Sequence, residues 1–181
     1  SGARSDGHRS IHALAQAGAG GALCTKAQED LPEHFIQLVV PDVIKALQAT
    51  ARVRVTRQPQ TTRIGITGSS GKTTTKEAIA AVLGRSAPTL RTYASYNNEL
   101  GYPLTLLGME AEQRYAVLEM GAEWVGELRG LCETIAPPHW SVITTVGAAH
   151  LKHFGSLENV ARAKGELVEV LAPEGVVILN Y

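Results

Sequence analysis

Cysteine is nearly absent: Cys24 and Cys132 are the two in 181 residues, far apart and outside any Cys-x-x-Cys pair or metal-ligand spacing. That argues against a disulfide framework or a thiolate metal cluster and favours two reduced structural thiols in a cytosolic protein. No apolar run approaches the ~20 residues that span a bilayer, and no signal-peptide pattern opens the chain. An excess of one charge is missing too. Seventeen basic residues meet seventeen acidic ones, so no overall positive field draws the chain to nucleic acid or to an anionic membrane. Internal repeats and low-complexity tracts are lacking as well. The expectation is a soluble, globular, cytoplasmic protein that holds any nucleotide by a local site.

What is present is apolar content of 44%, enough to bury a full core. The first residue is Ser1 rather than Met, and Ile178 to Tyr181 reads as a strand that stops without a turn. Both ends are therefore expected to be cut from a longer polypeptide. From Arg63 onward, short β-branched runs alternate with helical patterns, which predicts an α/β fold, a mostly parallel sheet with flanking helices. The strand runs are Arg63 to Thr67, Thr89 to Tyr93, Tyr115 to Glu119, Trp140 to Val146 and Val176 to Asn180. Thr73 to Leu83 reads as a helix with Gly84 as a left-handed C-terminal cap. A second helix follows Gly101, with Pro103 in its first turn, and a third covers Leu157 to Leu171. Upstream, Ile11 to Ala17 and Asp42 to Val53 read as helices, the latter opened by a capping aspartate, while Gly21 to Cys24 and Phe35 to Val40 read as short strands. Thr56 to Thr62 has no large apolar residue and contains Pro59, so a domain boundary is expected there. The expected division is 1–58, a linker at 59–62, and 63–181.

The stretch "ITGSSGKTTTKE", Ile66 to Glu77, runs from a strand through a glycine-rich turn into a helix. Such a turn points backbone N–H groups at an anion from the positive end of the helix dipole. Lys72 adds a mobile charge for terminal phosphates and Thr73 a hydroxyl for Mg²⁺, so the loop is suited to a nucleoside triphosphate. Isoleucine stands at position 66, where the strict G-x-x-x-x-G-K-[ST] pattern has glycine. Ligands of open parallel sheets bind beyond the carboxyl ends of the strands. Glu119, ending "YAVLE", and His150, after "ITTVGAA", are candidates there; the plain alternatives are a solvated or capping carboxylate and an ordinary loop histidine.

Lys164 lies seven residues from both Leu157 and Leu171. It shares their apolar stripe with Val160, Ala161, Leu167 and Val168, while Glu158, Arg162, Glu166 and Glu169 are assigned to the opposite face. It is either a lysine whose stem covers apolar surface or a sheltered amine near metal that reacts with CO₂ to give a carbamate, an oxygen ligand suited to Mg²⁺.

Taken together, "ITGSSGKTTTKE", "NNELGYPLTLL", "VLEMGA", "VGAAHLKHFGS" and "ARAKGELVEVL" resemble, in order and spacing, the central domain of the Mur ligases. The resemblance is nearest to the dipeptide-adding branch of that family and covers Arg63 to Tyr181. "GARSDGHRSI" and "LVVPDVIKAL" are similar to the later part of the family's N-terminal, UDP-binding domain. The resemblance implies that Gly68, Ser69, Ser70, Gly71, Lys72, Thr73 and Thr74 cradle ATP phosphates. It further implies that Thr73 and Glu119 hold a first Mg²⁺ and His150 a second, with a carbamate on Lys164 organising that second ion. Asn97 and Asn98 would lie near the γ-phosphate. The implied reaction activates the carboxylate of UDP-N-acetylmuramoyl-tripeptide as an acyl phosphate, with ADP leaving, and couples it to D-alanyl-D-alanine. Lys72 and two Mg²⁺ would neutralise the moving charge.

Thr145, where the family often has asparagine, and Glu123-Trp124, in place of a more usual polar pair, depart from the pattern. The resemblance also implies that the start of the N-terminal domain, the rest of the central domain and the whole C-terminal domain lie outside these residues. The 181-residue piece alone is therefore expected not to catalyse ligation, and the full-length protein is expected to be a monomer. Competing readings are a sister ligase, either the diaminopimelate- or lysine-adding Mur enzyme or folylpolyglutamate synthase, and a non-catalytic ATP-binding switch. Arg4, Gly7 and His8 are candidates for reading the uracil, against the plainer reading of "SDGH" as an ordinary loop.

Overall fold

The computed structural model describes residues 6–148 and 151–180, without the side chain of Leu151. The chain divides into two compact units at Ala46/Leu47, inside a helix. In the first unit, Asp6 accepts from the N–H of His8 to open a 3-10 turn, Gly7–Ser10, which leads into α1, Ile11–Gln16. Strands β1, Gly21–Cys24, and β2, Ile36–Val39, pair in parallel. Ile11, Ala15, Cys24 and Phe35 form a small core beside them.

Helix α2, Val43–Thr56, starts where Asp42 Oδ1 accepts from the N–H of Lys45 at 3.0 Å, the expected capping bond. The second unit is a five-stranded, all-parallel sheet. Its strands are β3, Thr62–Thr67; β4, Thr89–Arg91; β5, Tyr115–Glu119; β6, Trp140–Ile143; and β7, Val176–Leu179. The order β4-β5-β3-β6-β7 puts the sheet's first strand in chain order in the middle, with later strands on both sides. The chain reverses direction of travel beside β3, so a crevice opens past its carboxyl end, where ligands of open parallel sheets bind.

The two faces of the sheet sort by the period of two along each strand. Ile64, Ile66, Val117 and Val142 bury against Ala80 of α3, Lys72–Leu83. Ala116 and Leu118 point the other way, into a larger core with Leu106 of α4, Gly101–Leu107, with Leu128 and Leu131 of α5, Glu127–Thr134, and with Leu167 of α7, Leu157–Glu169. Gly65 lets α7 approach: a Cβ there would lie 3.0 Å from Pro138 and 3.3 Å from Leu167. Between β6 and α7 lies the one-turn α6, Leu151–Phe154. Among the described residues no helix is long and apolar enough to cross a membrane.

Several local expectations are corrected. Gly84 is not left-handed: its φ is −61°, and its N–H closes the helix onto Ala80 O while the N–H of Arg85 donates to Val82 O. β6 stops at Ile143, because the Thr144 and Thr145 hydroxyls turn to the phosphate loop. β4 stops at Arg91, three residues before Ala94 breaks the extended backbone with a φ of +46°. Helices α5 and α6 were not expected. On α7, Leu157 is half exposed whereas Glu166 is buried, the reverse of the amphipathic assignment. Glu166 accepts from the N–H groups of Gly126 at 2.5 Å and Arg129 at 3.1 Å, so its carboxylate caps α5 from a neighbouring helix.

Candidate active site: a phosphate loop facing a buried lysine and carboxylate

The loop after β3 turns on two glycines with positive φ, Gly68 at +151° and Gly71 at +79°. Gly68 is also pressed by its neighbour: a Cβ there would lie 2.0 Å from Thr144 Oγ1. Gly71 is the N-cap of α3, and among the described residues no side-chain cap is seen there, so the positive end of its dipole is left to an anion. The other arm of the loop is tied to the strand end beside it. Ser69 N–H donates to Thr145 O at 2.9 Å and Ser70 N–H to Thr145 Oγ1 at 3.0 Å, while Thr144 Oγ1 donates to Ser70 O at 2.5 Å. Thr145, the departure from the family pattern, thus braces the loop. Lys72 folds back, its Nζ donating to Gly68 O at 2.7 Å, within the loop that phosphates would fill.

Glu119 ends β5 next to this loop and is 1% exposed. One oxygen accepts from Thr73 Oγ1 at 2.8 Å and the other from Asn97 Nδ2 at 2.8 Å, while its N–H donates to Thr92 Oγ1 at 3.0 Å. Three expected site residues, Thr73, Asn97 and Glu119, therefore meet through one carboxylate. Gly121 permits this, since a Cβ there would lie 2.9 Å from Asn97 Oδ1. Asn98 serves the backbone instead, since its Oδ1 accepts from the N–H groups of Leu100 and Gly101 and so opens α4.

Asn97, Asn98 and Gly121 line a cleft of about 630 Å³ together with Lys72, Ala122, Glu127 and Lys164, and Glu119 and Thr73 are tied to its edge through Asn97. Lys164 is 3% exposed. Its Nζ donates to Ala122 O at 3.3 Å and stands 5.5 Å from the Phe154 ring centre. Burial, reinforced by repulsion from Lys72, pushes its pKa down to about 8. An amine so shifted is neutral in an appreciable fraction near neutral pH and is competent as a nucleophile toward CO₂.

The donor set fits the groups that the fold implies. A glycine cradle, an uncapped helix start and Lys72 suit a polyphosphate. Glu119 with the hydroxyl of Thr73 offers hard oxygen donors of the kind Mg²⁺ takes together with substrate phosphates. Among the described residues no three His, Cys, Asp or Glu side chains cluster as a metal cage. His150 and Arg4 lie outside the described residues. Gly7 and His8 sit in the first unit, where His8 Nε2 accepts from the N–H of Thr25 at 3.1 Å.

Two site residues escaped the sequence reading. Lys76 is fully buried behind Glu119, and Glu166 holds the wall of the cleft from beneath. The signal for Lys76 was its helical spacing, three residues after Thr73 and four before the buried Ala80.

A family described as the Mur ligase middle domain matches residues 66–181. The UDP-N-acetylmuramoyl-tripeptide–D-alanyl-D-alanine ligase of Bacillus subtilis is 39% identical over 98% of the chain, and that of Escherichia coli is 39% identical over 91%. The chain spans 38% and 36% of the length of these two relatives. Among solved structures, MurF of Acinetobacter baumannii aligns over 99% of the chain and 39% of its own, with a TM-score of 0.87 and 37% identity. MurF ligase of Thermotoga maritima in complex with ADP aligns over 99% of the chain and 41% of its own, with a TM-score of 0.83 and 31% identity.

Proposed function

The chain belongs to the Mur ligase family, and from that premise we propose that it carries the ATP-activating part of a ligase that joins D-alanyl-D-alanine to UDP-N-acetylmuramoyl-tripeptide. The reaction is ADP-forming and cytoplasmic, and it serves peptidoglycan precursor synthesis. Residues 1–58 are read as the later part of the UDP-substrate domain and 63–181 as the first part of the ATP domain, with 59–62 as the linker. The observation that carries the reading is that Lys72, Asn97 and Lys164 line one cleft, with Asn97 hydrogen-bonded to Glu119 and Glu119 to Thr73 of the phosphate loop. The relatives named above align over 98% and 91% of the chain.

In this reading, the loop from Gly68 to Thr74 receives the ATP phosphates, and Lys72 leaves Gly68 O to contact the β- and γ-phosphates. Glu119 and Thr73 would hold Mg²⁺, and His150 and a carbamate on Lys164 would serve a second ion. When bound, the metal supplies Lewis-acid stabilisation of charge on the phosphoryl oxygens. Asn97, tethered to Glu119, orients the γ-phosphate and the incoming tripeptide carboxylate. That carboxylate attacks the γ-phosphorus, the β–γ bond breaks and ADP leaves. The D-alanyl-D-alanine amine then adds to the acyl carbon, loses a proton and expels phosphate. The side chains position groups and compensate charge, and none acts as a nucleophile toward the substrates. The Lys164 carbamate forms when the neutral amine attacks CO₂ and releases a proton, which its lowered pKa favours.

The test is phosphate release from ATP by the protein extended to its natural termini, with UDP-N-acetylmuramoyl-tripeptide present and D-alanyl-D-alanine added or withheld. Release that requires both substrates, and that Lys72→Ala abolishes, supports the ligase and its acceptor. Release with a different amino-acid acceptor moves the assignment to a sister ligase. Nucleotide binding without release in any combination favours the switch.

A further inference from the structure

Lys76 is charged, 0% exposed, and has no place in the mechanism above. Its ammonium has three N–H donors, and three acceptors take them: Thr92 O at 2.9 Å, Ala94 O at 2.7 Å and Glu77 Oε1 at 3.1 Å. Glu119 Oε2 stands 3.9 Å away, close enough to feel the charge but beyond hydrogen-bonding distance. The Glu119 oxygens thus keep Thr73 and Asn97 as their side-chain hydrogen-bond partners. Glu77 divides its own charge, since Oε2 pairs with Arg91 Nε at 2.8 Å. A positive charge fixed in a dry interior beside a carboxylate is screened little by solvent.

We infer that Lys76 is the resident counter-ion of Glu119, a positioning residue that weakens the site for a bare divalent cation and so couples cation binding to the arrival of nucleotide phosphates. A bare cation at Glu119 meets the repulsion of Lys76. A cation that arrives with a polyphosphate brings negative charge to offset it. The same ammonium pins Ala94, whose φ is +46°, at the turn that leads to Asn97. One buried charge therefore acts on Glu119 directly and, through Ala94, on the turn that carries its partner Asn97. The inference rests on the assignment of Glu119 as the cation carboxylate, but not on the identity of the amino-acid acceptor.

The test uses Mn²⁺ as probe, titrated into the full-length protein by calorimetry and electron paramagnetic resonance, without nucleotide and then with saturating ADP. Lys76→Met keeps the stem and removes the charge. It is expected to tighten nucleotide-free Mn²⁺ binding at least ~10-fold and to shrink the gain in Mn²⁺ affinity that ADP confers. Glu77→Gln, at a half-exposed position, leaves Lys76 less neutralised and is expected to loosen nucleotide-free binding ~2–3-fold, which gives a second reading if Lys76→Met does not fold. A purely structural lysine has the opposite signature, because disordering Glu119 loosens Mn²⁺. Unchanged or weaker Mn²⁺ binding by folded Lys76→Met overturns the inference, and so does unchanged or tighter binding by Glu77→Gln. If both metal shifts appear while phosphate release fails with every acceptor, the ligase reading falls and the counter-ion role stands.

Discussion

Glu166 connects two helices through its carboxylate, and the cost of disturbing it can be worked from the geometry. The side chain is 2% exposed and accepts from two backbone N–H groups at the start of α5, Gly126 and Arg129. Glu166→Gln keeps the shape, but the amide oxygen satisfies only one of them. The amide NH₂ then faces the second N–H, and an unsatisfied buried donor costs about 1–3 kcal/mol. Removing the negative charge from the helix N-terminus adds about 0.3–1 kcal/mol. The expected loss is about 3 kcal/mol in all, a fall in Tm of roughly 6–12 °C at ~2–4 °C per kcal/mol for a protein of this size. Glu169→Gln is the internal control. Glu169 bridges the same two helices by an ion pair with Arg129, but both side chains are substantially exposed, and such pairs contribute about 0–1 kcal/mol. Urea and thermal unfolding of the two variants make the comparison. A loss below about 1 kcal/mol for Glu166→Gln, or equal losses for both, refutes the account of α5 as a helix capped from α7.

Gly121→Ala places a methyl group 2.9 Å from Asn97 Oδ1, the end of a movable side chain. It should leave folding and ADP affinity near wild type while cutting phosphate release by the full-length protein at least ~10-fold, about 1.4 kcal/mol of lost transition-state stabilisation; unchanged turnover shows that Asn97 does not orient the reactants. His139 accepts the N–H of Arg63 through Nδ1 at 3.0 Å, and its pKa is lowered by burial and by the Arg63 charge. Its neutral form is favoured in the folded state, so the unfolded chain binds the proton first as pH falls below ~6.5 and stability drops from there downward. His139→Gln should flatten that region of the stability-versus-pH curve measured by urea titration, and an unaltered slope removes His139 as its source. Lys164, with its pKa pushed down to about 8, should give a carbamate signal in ¹³C NMR with labelled bicarbonate that Lys164→Arg lacks; no signal from the wild-type protein argues against the carbamate.

How much of this was legible in the sequence depends on the range of the forces involved. The parallel sheet was readable because each strand is a short β-branched run between turns, and Tyr115 to Glu119 was placed to the residue. The phosphate loop was readable because its mechanism is local, confined to Gly68 to Thr73. Where a partner far along the chain decides the outcome, reading failed. Glu166 was assigned to the solvent face since a carboxylate normally seeks water, and only the fold brings two N–H groups from 37 and 40 residues away to meet it. Lys76 was passed over because its acceptors, Thr92 O and Ala94 O, are backbone atoms and leave no mark in residue type. The end of β6 was set too late because Thr144 and Thr145 carry strand propensity, yet their hydroxyls turn to the loop beside them. Lys164 lay between these cases: its spacing announced burial, and the cleft it faces required the structure.

The central claim is that this chain carries the machinery that activates a carboxylate with ATP, and isotope transfer tests it directly. UDP-N-acetylmuramoyl-tripeptide labelled with ¹⁸O in its terminal carboxylate is turned over by the full-length protein with ATP and D-alanyl-D-alanine, and the released phosphate is analysed by mass. An acyl phosphate requires one labelled oxygen to appear in phosphate for each amide formed, and Lys72→Ala to abolish it. Phosphate free of ¹⁸O, or released equally well without the tripeptide, contradicts the claim.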